Sequence, residues 1–188
     1  SMTATAVSRT LDRDFDKASR QIRLIEEMAS VAQSEMRALL LHLRPVHLEG
    51  KRLAQAMKEL ITELQAKVPM DIVLEMEEDI QLPKGIEDHL FRILQEALSN
   101  ALRHSKAGAM EIRFLRLSDG IRMTIKDDGV GFQLGVDEKH ASYGLASMKE
   151  RINEIGGSIH IVTAPGKGTR IEIRVPLVMS NREEDENG

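Results

Sequence analysis

Apolar residues recur at alternating steps of three and four along the first part of the chain: Phe15, Ala18, Ile22, Ile25, Ala29, Ala32, Met36, Leu39 and Leu43. This is the a/d seam of a coiled coil or helical bundle. The positions between, Arg20, Arg23, Glu26, Glu27, Gln33, Glu35 and Arg37, suit solvent. The spacing predicts a helix over residues 15–43 that is not stable alone, because a single seam leaves its apolar side in water. Its partner is either another helix of this chain or the same helix of a second copy. Ahead of it, residues 2–10 read as the end of a preceding helix and Leu11-Asp-Arg-Asp14 as a hairpin loop.

Pro45 ends the long helix, because the residue before a proline is driven out of the α region, and Gly50 opens the next unit. Leu53, Met57, Leu60, Ile61 and Leu64 define a second amphipathic helix, closed by Pro69. Ile72, Leu74 and Met76 alternate with Val73 and Glu75 as a short strand. Pro83-Lys-Gly85 predicts a turn into a helix over 87–103, whose apolar side is Leu90, Phe91, Leu94, Ala97, Leu98 and Ala101. Two alternating strands, 110–117 and 121–126, meet at Ser118-Asp-Gly120. Residues 133–143 are polar and short of pattern; another helix is predicted over 145–155, stopped by Gly156-Gly157. A last hairpin pairs 158–162 with 169–175 across Pro165-Gly-Lys-Gly168. The tail from Ser180 is acidic and is expected to be disordered. The elements predict an α+β chain: a helical segment, then an α/β sandwich with helices on one face of a mixed, mainly antiparallel sheet. The expected division is 1–46, 47–178 and 179–188, with the hinge near 44–50.

At 188 residues the chain can bury a core without disulfides or metals, and it has no cysteine to make either a disulfide or a thiolate site. Its 41% hydrophobic and 30% charged residues are an ordinary globular balance. A net charge of −4 with no basic face argues against nucleic acid as a partner. No apolar stretch approaches the ~20 residues that span a bilayer; Leu39-Leu-Leu41 is cut short by His42 and Arg44. Ser1-Met2 reads as a remnant of expression, so the chain is expected to be a piece of a longer protein whose membrane portion is absent.

The chemistry concentrates in Glu96-Ala-Leu-Ser-Asn100 and, some thirty residues later, Asp127-Asp-Gly-Val-Gly131. Residues four apart share a helix face, so Glu96, Asn100 and His104 form one polar stripe. A carboxylate and an amide held side by side can grip a hydrated Mg²⁺ and position a proton acceptor. Mg²⁺ keeps several waters, so one or two protein oxygens suffice. Asp-x-Gly-x-Gly supplies an acceptor for a base edge and backbone that passes close to a ligand, though such runs also make plain turns. Together the two motifs read as a nucleotide site.

The pair closely resembles the N and G1 boxes of the histidine-kinase branch of the GHKL ATPases. Leu43-Arg-Pro45, Leu90-Phe-Arg-Ile-Leu-Gln-Glu-Ala-Leu-Ser-Asn100, Tyr143-Gly-Leu-Ala-Ser-Met-Lys-Glu-Arg151 and Gly166-Lys-Gly-Thr169 resemble the subfamily that pairs with helix-turn-helix response regulators, and within it the LiaS/VraS-type sensors of cell-envelope stress. The match runs from about residue 19 to 178, with the boxes in order. The resemblance implies a GHKL (Bergerat) sandwich that binds ATP and Mg²⁺. It also implies a homodimer through the helical segment, a cognate response regulator, and a place as the cytoplasmic portion of a bacterial membrane-anchored sensor.

Residue by residue, the resemblance makes Asn100 the Mg²⁺ ligand and puts Glu96 at the position of the catalytic glutamate, where it orders water or helps deprotonate an incoming histidine. Asp127, rather than its neighbour Asp128, accepts the exocyclic amine of adenine. Gly129 and Gly131 shape the backbone around the base, and Thr169 is a contact near the adenine pocket or else a plain strand threonine. Residues 133–143 become a lid, and Tyr143, Gly144 and Leu145 open a helix whose N-terminal amides receive phosphate. Arg103, His104 and Lys106 form a basic cluster that meets phosphates, with a helix C-terminal cap as the other use of His104. His89 has the weaker claim on the site.

The subfamily's phosphoacceptor is a histidine followed at once by an acidic residue. None of the six histidines, His42, His47, His89, His104, His140 and His160, is so followed. The chain is therefore expected to bind ATP·Mg²⁺ without phosphorylating itself. The alternative from another class is a nucleotide-gated GHKL interaction module that performs no phosphoryl transfer.

Overall fold

The computed structural model describes residues 15–43, 51–77, 80–133 and 138–177. The expected stub and hairpin loop before residue 15, the Pro45 to Gly50 hinge and the acidic tail lie outside the described residues. The long helix α1 is Phe15–Leu43, as the seam predicts. Of that seam Ala18 is fully buried, while Phe15 is 73% and Met36 63% exposed. Helix α1 lies against the helix that carries Glu96 and Asn100 and against the turn that follows it.

Helix α2 (Leu53–Gln65) buries Leu53, Met57, Leu60, Ile61 and Leu64. No side chain next to its start caps it. Glu87 does so from a distance, its carboxylate accepting the Leu53 N–H, and burial raises that carboxyl's pKa despite the bond. Strand β1 (Asp71–Met76) leads to helix α3 (Lys84–Asn100). The expected turn at Pro83-Lys-Gly85 is instead the helix entry: Pro83 precedes the first turn, and its carbonyl accepts the N–H groups of Ile86 (2.9 Å) and Glu87 (3.1 Å). Proline suits a helix start because its fixed φ and missing N–H cost nothing there.

Strands β2 (Ala109–Leu117) and β3 (Gly120–Asp127) follow, then helix α4 (Glu138–Glu154) and strands β4 (Ser158–Thr163) and β5 (Thr169–Pro176). The sheet order is β1-β2-β3-β5-β4. Only β1 and β2 run parallel among these pairs. One face of the sheet, Ile72, Met110, Ile112, Phe114, Ile121, Met123, Ile125, Ile171, Ile173 and Val175, is buried with Leu90, Ile93, Leu94 and Leu98 of α3 and Met148 and Ile152 of α4. The other face alternates into water: Glu172 there accepts from Arg174 at 3.0 Å and from Arg170 at 3.3 Å, and these partners hold its carboxyl below the ordinary range.

Candidate functional site

Helix α3 does not run on to Arg103. Its regular winding ends at Asn100, and residues Ala101–Ser105 form a wider π turn. Turns of this kind cluster at functional sites because they re-aim the side chains around them. Ser105 stabilises the turn, its hydroxyl donating to the Ala101 carbonyl at 2.8 Å and accepting the Ala107 N–H at 3.0 Å. Lys106 then takes the left-handed conformation, φ 51°, and turns the chain towards β2. Arg103 is half-buried, while His104 and Lys106 are exposed at the exit of the helix that bears Glu96 and Asn100. His89 lies elsewhere, its Nδ1 3.5 Å from a Glu154 carboxylate oxygen at the end of α4.

Asp127 ends β3, opposite Thr169 of β5, and is 8% exposed. Its Oδ1 accepts the Gly129 N–H at 2.9 Å, and the Thr169 N–H and hydroxyl, across the ladder, favour the charged carboxylate. Burial nevertheless outweighs these bonds and raises the pKa, and the charge of Asp128 pushes the same way. An ionised carboxylate has about four lone-pair positions, so Gly129 and Thr169 leave it acceptor capacity. Asp128 is exposed and already engaged, its Oδ1 accepting the N–H groups of Gly108 and Ala109 at 2.9 Å each. Of the adjacent pair, Asp127 is the one whose carboxylate is buried.

Beyond Asp127 the backbone is held from two sides. Val130 donates to the Ser105 carbonyl at 2.7 Å, and the Val130 carbonyl accepts the Gly166 N–H at 2.6 Å. Gly131 has φ +58°, and a side chain there would strike the Ala164 carbonyl. Thr163 accepts the Phe132 N–H at 3.1 Å and donates to the Gly168 carbonyl at 3.0 Å, while its hydroxyl is 3.3 Å from that of Thr169. Asp128, Ser105, Thr163 and Gly168 are site-building residues to which motif reading gives no role. Asp128 and Gly168 lie within Asp-Asp-Gly-Val-Gly and Gly-Lys-Gly-Thr, whereas Ser105 and Thr163 leave no sequence signal.

The structure corrects the expected start of the helix after the glycine run. Residues 134–137 lie outside the described part, but residues 138–143 are helical, so α4 starts well before Leu145. Tyr143, Gly144 and Leu145 are inside the helix and present no N-terminal amides. Tyr143 is 86% exposed, and Leu145 packs partly on the core. Gly144 is seated on the α3 stripe: a Cβ there would collide with Glu96 Oε1 and come within 3.1 Å of Asn100 Nδ2. Among the described residues no group of three or more His, Asp or Glu side chains forms a metal cage. Glu96 and Asn100 are both half-buried and both lie against Gly144, and a carboxylate and an amide on one helix face suit a cation that takes few protein ligands and keeps its water.

A family model described as histidine kinase-, DNA gyrase B-, and HSP90-like ATPase matches residues 85–179, and one described as histidine kinase matches 1–48. Among curated relatives, sensor histidine kinase LiaS of Bacillus subtilis (strain 168) is 47% identical over 185 residues, which cover 98% of this chain and 51% of that protein. Sensor protein VraS of Staphylococcus aureus (strain COL) is 49% identical over 179 residues, 94% of this chain and 50% of that one. The chain thus spans about half the length of the curated relatives it matches. Among solved structures, the histidine kinase domain of the Erythrobacter litoralis EL346 blue-light activated histidine kinase matches with a TM-score of 0.57 at 18% identity, covering 92% of each chain. The Acinetobacter baumannii histidine kinase AdeS matches with a TM-score of 0.55 at 15% identity, covering 93% of each. At these identities the structural likeness is one of fold.

Proposed function

The chain belongs to the histidine kinase-, DNA gyrase B- and HSP90-like ATPase family, and on that premise we propose that it is the ATP-binding catalytic part of a two-component sensor histidine kinase. Residues 1–46 are then part of a dimerisation and phosphotransfer hairpin, and 47–178 the catalytic domain. Asp127 carries the proposal. A buried carboxylate is costly unless its acceptor positions are met, and Asp127 keeps acceptor capacity beyond Gly129 and Thr169. The exocyclic amine of adenine fills that capacity, whereas guanine presents an acceptor oxygen and is repelled.

Asn100 would hold Mg²⁺, and Glu96, one helix turn away, would order water or take the proton of an incoming histidine. When bound, ATP·Mg²⁺ supplies the γ-phosphoryl group, and its transfer depends on positioning and charge neutralisation. Arg103, His104 and Lys106 supply donors for phosphate oxygens at the helix exit. Gly129 and Gly131 let the backbone line the base, and Thr169 orients Asp127. Tyr143, Gly144 and Leu145 cover the phosphates once α4 has moved off Glu96 and Asn100. In the whole protein the phosphoryl group passes to a histidine of the same sensor and on to an aspartate of its response regulator. The sensor works as a homodimer on the cytoplasmic side of a membrane that a further segment spans.

One sequence feature favours a second reading of the chain taken by itself: no histidine is followed by an acidic residue. By itself the chain would then act as a nucleotide-gated module, without phosphoryl transfer. Titration of ATP with Mg²⁺ into the chain and into Asp127→Ala, followed by calorimetry, tests the site common to both readings. Micromolar to submillimolar binding, weakened at least about ten-fold by the substitution, is expected from the ~1.5–3 kcal/mol of a hydrogen bond to a charged group. No binding by the folded unaltered chain would overturn both.

A further inference from the structure

Asp127 and Asn100 lie on separate elements, yet a ligand that touches both needs a fixed spacing between them. The segment that sets it is 105–109, between the π turn and β2, and Asp128 grips it. One carboxylate oxygen, Oδ1, accepts the N–H groups of both Gly108 and Ala109 at 2.9 Å, and the Asp128 N–H returns a bond to the Ala109 carbonyl at 3.3 Å. The two residues after Asp128 close on the same segment. A Cβ at Gly129 would collide with the Ser105 backbone, and Val130 donates to the Ser105 carbonyl at 2.7 Å. Ser105 is in turn bonded back to Ala101, the residue after Asn100. Asp128 is exposed, so packing does not explain what its carboxylate does.

We infer that Asp128 is a positioning residue, its carboxylate clamping residues 108–109 to the end of β3 and so fixing the distance between the base-reading Asp127 and the metal-holding Asn100. The inference rests on the nucleotide site proposed above. Two binding contacts in one ligand reinforce each other only while their spacing matches the ligand. Loosening the clamp therefore weakens the whole ligand while sparing its halves.

The test compares Mg²⁺·ATP, adenosine and Mg²⁺·tripolyphosphate on the unaltered chain, Asp128→Ala and Asp128→Asn. Asp128→Ala is expected to lose Mg²⁺·ATP affinity by about ten-fold or more, with adenosine and tripolyphosphate held within about two-fold. Asp128→Asn keeps an oxygen that accepts both amides and is expected to bind ATP like the unaltered chain. Should Asp128→Ala melt below the assay temperature, Gly108→Pro removes one of the two donors, leaves the charge in place, and is expected to reproduce the loss. Unaltered ATP binding by Asp128→Ala overturns the inference, as do an Asp128→Asn variant as weak as the alanine one and an adenosine loss that parallels that of ATP. Failure of the unaltered chain to bind Mg²⁺·ATP would instead remove the nucleotide site itself, and the clamp's role with it.

Discussion

Asp127 is pulled two ways: burial raises its pKa above the ordinary 3.8, while bonds from Gly129 and Thr169 lower it, and burial is the larger. Because the folded pKa lies above the unfolded one, the fold favours the protonated carboxyl. That contribution to stability is fully present below the ordinary carboxyl pKa and is lost as pH rises through the raised one. Binding runs the other way, since the ionised form is the stronger acceptor for an amine. Adenosine, which has no phosphate to titrate, is therefore expected to bind more weakly as pH falls through the raised pKa. Asp127→Asn should bind it weakly, with no such dependence on Asp127. Titrations across the acid range check this, and an unaltered chain whose affinity stays flat there would remove Asp127 from the base contact. At this scale the motif spacing identified Asp127 and Asn100 as candidates. The alternation of β3 already puts Asp127 in phase with the buried Ile121, Met123 and Ile125, whereas the bonds that Asp128 accepts from Gly108 and Ala109 cross between segments and could not be read from the motif.

Helix α4 shows how an element can exceed its sequence pattern. Leu145, Met148 and Ile152 recur at helical spacing and pack on the core, so the predicted helix over 145–155 is there. The turns before it, Glu138-Lys-His-Ala-Ser142, have no apolar periodicity to announce them. Short helical turns without a packed face are marginal in water. Gly144 nevertheless brings the helix backbone onto Glu96 and Asn100, where the metal would bind. Nucleotide is thus expected to unwind α4 up to Gly144. Ser142→Pro, which removes a helical N–H, should tighten Mg²⁺·ATP binding several-fold, within the ~3 kcal/mol that proline costs a helix interior. Calorimetry decides, and weaker binding by the variant would show that these turns serve the bound state as helix. The π turn after Asn100 is likewise invisible to a period of 3.6, because the Ser105 hydroxyl and the Val130 N–H together shape it.

At the scale of the molecule, α1 carries a seam that the single chain covers only in part, with Ala18 buried and Phe15, Ile22 and Met36 exposed. A helix face of this kind fits the homodimer proposed for the whole sensor. With no acceptor histidine recognisable in its sequence, the chain incubated with labelled ATP is expected to carry no acid-labile, base-stable phosphate. A helix bearing the subfamily's His-Asp or His-Glu pair, added in trans, should gain it. No label on the added helix although ATP binds would count against the kinase assignment, whereas label on the chain alone would overturn the expectation that it lacks an acceptor. The sequence by itself determined the order of elements, the mixed sheet with its buried face, and the polar stripe and glycine run of the site. Those follow from periods of 2 and 3.6 and from local steric rules, which act between neighbours along the chain. Only the tertiary structure decided where α4 begins, where the π turn falls, and how 105–109 joins the two halves of the site. Each of these depends on hydrogen bonds and close contacts between residues far apart in sequence, and no local pattern records them.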